Sequence, residues 1–175
     1  LEEQMGVKRN SDNKPDLYGY EMKNHTTSKT TFGDWSASSY IFGKNSDISL
    51  DQFYEYFGKK NEDNRLSWCA SAPKKINQYS SCGQVMIIED TGISIIYDYS
   101  YDQRSDKATC VPIDYQHGKI KLAWWSHEKL ETHVTNKFDQ RGWFKCLRGK
   151  DGTYKEIIFG YPLNYQKFLE LLKAH

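Results

Sequence analysis

Two β-branched runs, "GQVMIIED" and "GISIIYDYS", meet at Asp90-Thr91-Gly92. Val and Ile are stiff at χ1 and suit a pleated, extended backbone. The Asp-Thr-Gly between them is a tight-turn signal, so the centre of this chain is an antiparallel hairpin. "KATCVPIDY" and "GKIKLAWW" extend it into a meander of further strands. Helices flank the meander. Ser49 caps "SLDQFYEYFGKK", whose Phe53, Tyr56 and Phe57 share one face and whose Gly58 is a stop. Ser126 caps "SHEKLETHVTNKF", with Leu130 and Val134 at i, i+4. "GWFKCLRG" and "YKEIIFGYP" read as strands around "KDG", and Asn164 caps a closing helix. No repeat, low-complexity tract or linker interrupts the pattern, which makes residues 1–175 a single α+β domain.

Composition removes several function classes. No run of eighteen apolar residues exists, so no helix of this chain is expected to span a membrane. The opening "LEEQMG" lacks the basic and apolar segments of a signal peptide and reads as the end of a helix closed by Gly6. The chain is therefore expected to be part of a longer, cytoplasmic protein, with room for an additional domain. Its four cysteines, Cys69, Cys82, Cys110 and Cys146, form no C-x-x-C pair, and they read as reduced thiols. Lys and Arg number 24 against 23 acids, a net charge of +1. That is less basic than a dedicated DNA-binding domain, yet an enzyme that gathers carboxylates around a metal dilutes its own basic patch.

Chemistry concentrates in "KPDLYGYEMK", residues 14–23. Taken as a short strand, "DLYGYEMK" sets Glu21 and Lys23 on one face, about 6–7 Å apart along the chain. Gly19 marks a bulge or a close backbone approach that turns Asp16 towards Glu21. Two carboxylates and the main-chain carbonyl of Met22 would make an oxygen-rich, partly open site of the kind Mg²⁺ accepts. Lys23 would then position a water or stabilise the transition state. The same D-x(n)-E-x-K pattern also arises on ordinary solvated strand edges.

The wider segment is more specific. Leu1-Glu2, Gly6, Pro15-Asp16 and Gly19-Tyr20-Glu21-Met22-Lys23 together resemble the active-site segment of PD-(D/E)xK nucleases of the MutH and MvaI/BcnI restriction-endonuclease type. The resemblance implies a restriction-endonuclease-like core, a mixed β-sheet flanked by helices. It implies catalytic roles for Asp16, Glu21 and Lys23, with Glu2 (or its neighbour Glu3) as the supporting helix glutamate. It further implies Mg²⁺ as cofactor, double-stranded DNA as partner, and a monomer or weak dimer as the acting form. The activity implied is Mg²⁺-dependent, sequence-specific endonucleolytic cleavage, the alternatives being a MutH-like repair nickase or a non-catalytic DNA- or protein-binding module.

Contacts to DNA are expected on two kinds of segment. After Lys23, "NHTTSKTTFGDW" supplies short donors and a cation, with His25, Lys29 and Thr30 foremost, suited to phosphate contacts. "HVTNKFDQRGW" (133–143) offers base readers: Arg141 for guanine, Asn136 or Gln140 for adenine, Asp139 for cytosine, with Lys137 beside them. Asp139 and Arg141 equally suit a turn before Gly142, and Lys137 a solvated surface. Arg104, on the loop "SYDQRSDK", is a further candidate, whereas His117, His127 and His133 read as surface residues.

Overall fold

The computed structural model describes Gly6 and residues 13–23, 35–44 and 46–174. The chain divides into two compact units, Leu1–Trp35 with Glu128–Leu171, and Ser36–His127 with Leu172–His175. The helix expected over residues 1–6 lies outside the described residues except for Gly6.

The first unit is built on a three-stranded mixed sheet. Strand β1 (Glu21–Lys23) runs parallel to β8 (Trp143–Arg148), which pairs antiparallel with β9 (Tyr154–Gly160). Met22, Phe144 and Cys146 form the buried cluster of one face, with Leu17, Tyr20 and Tyr154 packed against it. Helix α4 (His127–Phe138) buries Leu130, Val134 and Phe138, an i, i+4, i+8 stripe. Helix α5 (Tyr165–Ala174) is capped as expected: Asn164 Oδ1 accepts the Lys167 N–H at 2.9 Å.

The second unit carries an antiparallel sheet in the order β2 (Ser39–Tyr40), β7 (Lys119–Ser126), β6 (Gly92–Asp102), β5 (Cys82–Glu89). Glu89 pairs with Gly92, so the hairpin turns where the Asp90-Thr91-Gly92 signal places it. Helix α1 (Leu50–Phe57) drives Phe53 and Phe57, both fully buried, into a core with Ile95, Tyr97, Val111 and Leu122. Ser49 and Gln52 cap its start reciprocally, at 3.2 and 2.8 Å. Gly58 ends the helix for a different reason from the one expected. Its backbone is extended at φ −80°, and glycine is needed because a Cβ would strike the Tyr54 carbonyl oxygen. Between α1 and β5 stand a small hairpin, β3 (Lys59–Lys60) with β4 (Leu66–Ser67), and the helical turn α2 (Trp68–Ser71).

Two expected strands change form. "KATCVPIDY" folds as the helical turn α3 (Lys107–Cys110) followed by a 3₁₀ turn at Ile113–Tyr115. The Lys107 ammonium donates to the carbonyls of Tyr99 and Asp102, at 3.1 and 2.7 Å, and Asp106 O accepts from Thr109 and Cys110. These contacts outweigh the β preference of Thr and Val, and Pro112 has no N–H for a ladder. In "DLYGYEMK" the strand is confined to Glu21–Lys23. Tyr18 and Gly19 both take positive φ, 49° and 84°, and Leu17 and Tyr20 exchange N–H···O bonds of 3.1 and 2.8 Å around them. This is a two-residue reversal of the primed kind, for which glycine at the second position is well suited.

Candidate active site

The Tyr18-Gly19 reversal has a direct chemical result: it carries Asp16 back alongside β1. Asp16 Oδ2 accepts the Met22 N–H at 2.8 Å. The Glu21 N–H points the other way and donates to Gly142 O at 3.0 Å, towards β8. Because β1 is the edge of its sheet, the Met22 N–H and C=O face outwards on the side where Asp16 sits. Asp16 is thus brought to the outer edge of the strand that carries Glu21 and Met22, by a turn in place of a bulge.

Glu21 and Lys23 share the opposite face from Met22, and α4 covers them. Lys23 Nζ donates to Glu21 Oε1 at 2.8 Å and lies 5.0 Å from the centre of the Phe138 ring. Lys137, the residue before Phe138, brings its own Nζ to 3.2 Å from the same oxygen. One carboxylate oxygen therefore holds two ammonium groups. The other, Glu21 Oε2, is buried and has no hydrogen-bond partner. The Glu21 side chain is 5% exposed, Lys23 12% and Lys137 18%.

Burial pushes the Glu21 carboxyl above its ordinary value, and the negative charge of Asp16 adds to the shift; Lys23 and Lys137 oppose it. Burial likewise lowers the Lys23 ammonium, helped by the like charge of Lys137 and opposed by Glu21. Taking these charges out of water is costly unless each is compensated. A buried carboxylate oxygen without a donor is an expensive state, and an oxygen-seeking cation would relieve it. Among the described residues no three His, Cys, Asp or Glu side chains cluster to hold a metal. Asp16, Glu21 and the Met22 carbonyl would offer an ion two carboxylates and one carbonyl, hard oxygen ligands that leave positions for water and phosphate.

The remaining expected residues separate. Glu2, Glu3, His25, Lys29 and Thr30 lie outside the described residues. Asn136, Asp139, Gln140 and Arg141 are exposed at the end of α4 and the turn into β8. The Arg141 N–H donates to Gly19 O at 3.2 Å, and a Cβ on Gly19 would lie 3.4 Å from the Arg141 stem, so this turn packs against the reversal that sets Asp16. Lys137, expected as a DNA contact or on a solvated surface, has its Nζ at the Glu21 carboxylate.

Arg104 also lies in a different place from the one its loop suggests. Its guanidinium pairs with Asp102 at 2.7 Å and donates to the carbonyls of Tyr56 and Gly58, at 2.7 and 3.0 Å. Tyr97 completes the set by donating to Asp102 Oδ2 at 2.9 Å. Arg104 is 12% exposed, fastening the end of α1 to β6. His133, expected at the surface, stacks on Trp35 with ring centres 5.3 Å apart and has its Nε2 buried without a hydrogen-bond partner. Burial lowers its pKa.

Comparison with known proteins places this arrangement. The model of the LlaMI restriction endonuclease family matches residues 1–175. The chain belongs to that family. It is also 38% identical over 198 aligned positions to the Type II restriction enzyme ScrFI of Lactococcus lactis subsp. cremoris, covering 99% of this chain and 73% of that enzyme. A solved structure, that of the restriction endonuclease MvaI in complex with its cognate DNA substrate, superposes with a TM-score of 0.55 at 13% identity, over 99% of this chain and 67% of that one. The restriction-endonuclease-like α+β fold expected from the opening segment is the fold observed. No helix among the described residues is long and apolar enough to cross a membrane.

Proposed function

We propose that this restriction-endonuclease family member cleaves double-stranded DNA at a specific sequence in a Mg²⁺-dependent reaction at the Asp16–Glu21–Lys23 site. The observation that carries the reading is Glu21 Oε2, a buried carboxylate oxygen without a donor, on the short strand whose Met22 N–H is held by Asp16. Asp16, Glu21 and the Met22 carbonyl would hold the ion. When bound, Mg²⁺ neutralises charge on the phosphate and acidifies a coordinated water.

The chain's own groups do the rest. Lys23, held on the same strand face as Glu21, presents its ammonium donors to the attacking water and to the phosphate oxygens where charge develops. The Asp16–Met22 bond would keep the reversal closed and Asp16 at the strand edge when substrate arrives. Arg141 and Gln140, exposed beside that reversal, and Asn136, exposed on α4, would contact bases, and the cognate DNA in the MvaI complex supports a DNA partner here. Glu2, His25, Lys29 and Thr30 remain part of the proposal on sequence grounds alone. A cytoplasmic location follows from an activity directed at DNA.

The test is incubation with supercoiled plasmid and Mg²⁺, followed by gel analysis and sequencing of the ends. Linear product with uniform ends, abolished by EDTA and by Asp16→Asn, is the expected result. Nicked circles alone would favour the strand-nicking alternative, and unaltered plasmid would overturn the assignment.

A further inference from the structure

We infer that Lys137 is a positioning residue that makes loading of the metal depend on the arrival of a DNA phosphate. The inference rests on the reading of Glu21 as a metal ligand. Asp16 and Glu21 carry two negative charges, and Lys23 and Lys137 carry two positive ones at or near the same oxygen. Among the described residues these four side chains balance one another without any ion. A divalent cation added to this set leaves two uncompensated positive charges around a carboxylate that is 5% exposed. A phosphodiester brings one negative charge and halves that excess, so metal and phosphate enter the site more favourably together than the metal does alone.

Lys137 fits this role better than Lys23. Lys23 is fixed on β1 two residues from Glu21, with its ammonium against Phe138. Lys137 rises from α4, whose position is set by Leu130, Val134 and Phe138, and it makes the longer and more exposed contact with Glu21 Oε1, 3.2 against 2.8 Å. Its four-carbon stem allows the ammonium to leave Glu21 for a phosphate oxygen without moving the helix. Nothing in the spacing of the D-x(n)-E-x-K segment points to this residue, because it is more than a hundred positions away.

The experiment titrates Mn²⁺ into the DNA-free protein, reading free ion by electron paramagnetic resonance. Lys137→Met should bind Mn²⁺ about tenfold more tightly than the wild type, the order expected on removing a unit charge a few ångströms from an ion in a partly solvated site. Lys137→Gln, which keeps a donor for Oε1 without the charge, should tighten binding similarly and covers the case in which the Met variant does not fold. Lys137→Arg should stay at the wild-type value. Equal or weaker binding in both neutral variants overturns the role of Lys137 while leaving the metal site intact. Binding no stronger than that of Glu21→Gln in every protein overturns the metal reading itself, and this inference with it.

Discussion

Asp16 accepts the Met22 N–H at 2.8 Å, and this bond ties the acid before the turn to the strand after it. The carboxylate therefore has two separable duties: closing the Tyr18-Gly19 reversal and offering oxygen to a cation. Asp16→Asn keeps an acceptor for Met22 and removes the charge. It should melt within a few degrees of wild type and lose cleavage by at least about a hundredfold, the order of a lost preorganised electrostatic group. Asp16→Ala should lose cleavage and also about 1–3 kcal/mol of stability through the orphaned N–H. Thermal melts run beside plasmid digestion check both, and an Asn variant that cleaves at the wild-type rate would remove Asp16 from the site.

The Glu21–Lys23 pair is expected to cost stability for the sake of activity. Burial holds the Glu21 carboxyl above 4.5, so the stability it contributes is fully present below pH 4.5 and is lost as pH rises through the raised value. Burial holds Lys23 below 10.5, so its contribution is present above pH 10.5 and is lost as pH falls through the lowered value. Burial thus disfavours the charged form of each side chain. The double variant Glu21→Gln with Lys23→Met, in EDTA, should be about 1–3 kcal/mol more stable than wild type at pH 7, with the gain shrinking towards pH 4. Lys137, already 18% exposed, can turn to solvent. Denaturant melts across pH decide it, and a variant less stable at pH 7 would contradict the account.

What could be read from the residues divides along a physical line. The hairpin at Asp90–Gly92 and the Ser49 and Asn164 caps follow from rules acting over a few residues. Lys107–Cys110 reads as strand but folds as a helical turn, because its conformation is set by a lysine reaching two carbonyls of a neighbouring strand. The Tyr18-Gly19 reversal left a partial sign, a glycine inside a short apolar run, which fits a bulge equally well. Lys137 at Glu21 and Arg104 at Asp102 depend on which helix or loop lands against which strand. Charge type alone cannot tell a phosphate contact from an internal ion pair.

Arg104 should therefore behave as a structural residue in binding assays. Removing it strands Asp102, a buried carboxylate, and releases the Tyr56 and Gly58 carbonyls. Arg104→Ala should cost about 3–5 kcal/mol, the range for breaking a buried pair from one side. Arg104→Lys should recover only part of this, since an ammonium cannot reproduce the planar set of donors. In whichever variant remains folded, the dependence of DNA affinity on salt should keep its wild-type slope. A slope shallower by about one counterion would return Arg104 to the DNA surface.

Arg141 makes the opposite case. It is exposed, and its main-chain N–H is bonded to Gly19 O, within the reversal that positions Asp16. A side chain anchored this way can report a correct base contact to the carboxylates through a few bonds of stiff backbone. Arg141→Ala should weaken binding to the cleaved sequence by about 1–3 kcal/mol if the guanidinium pairs with guanine, and should leave non-specific binding nearly unchanged. Gel-shift titrations in Ca²⁺, comparing a duplex carrying the mapped site with one carrying a single substitution, measure the difference. Equal losses on both duplexes would make Arg141 a phosphate contact, and the search for base readers would then move to Gln140 and Asn136.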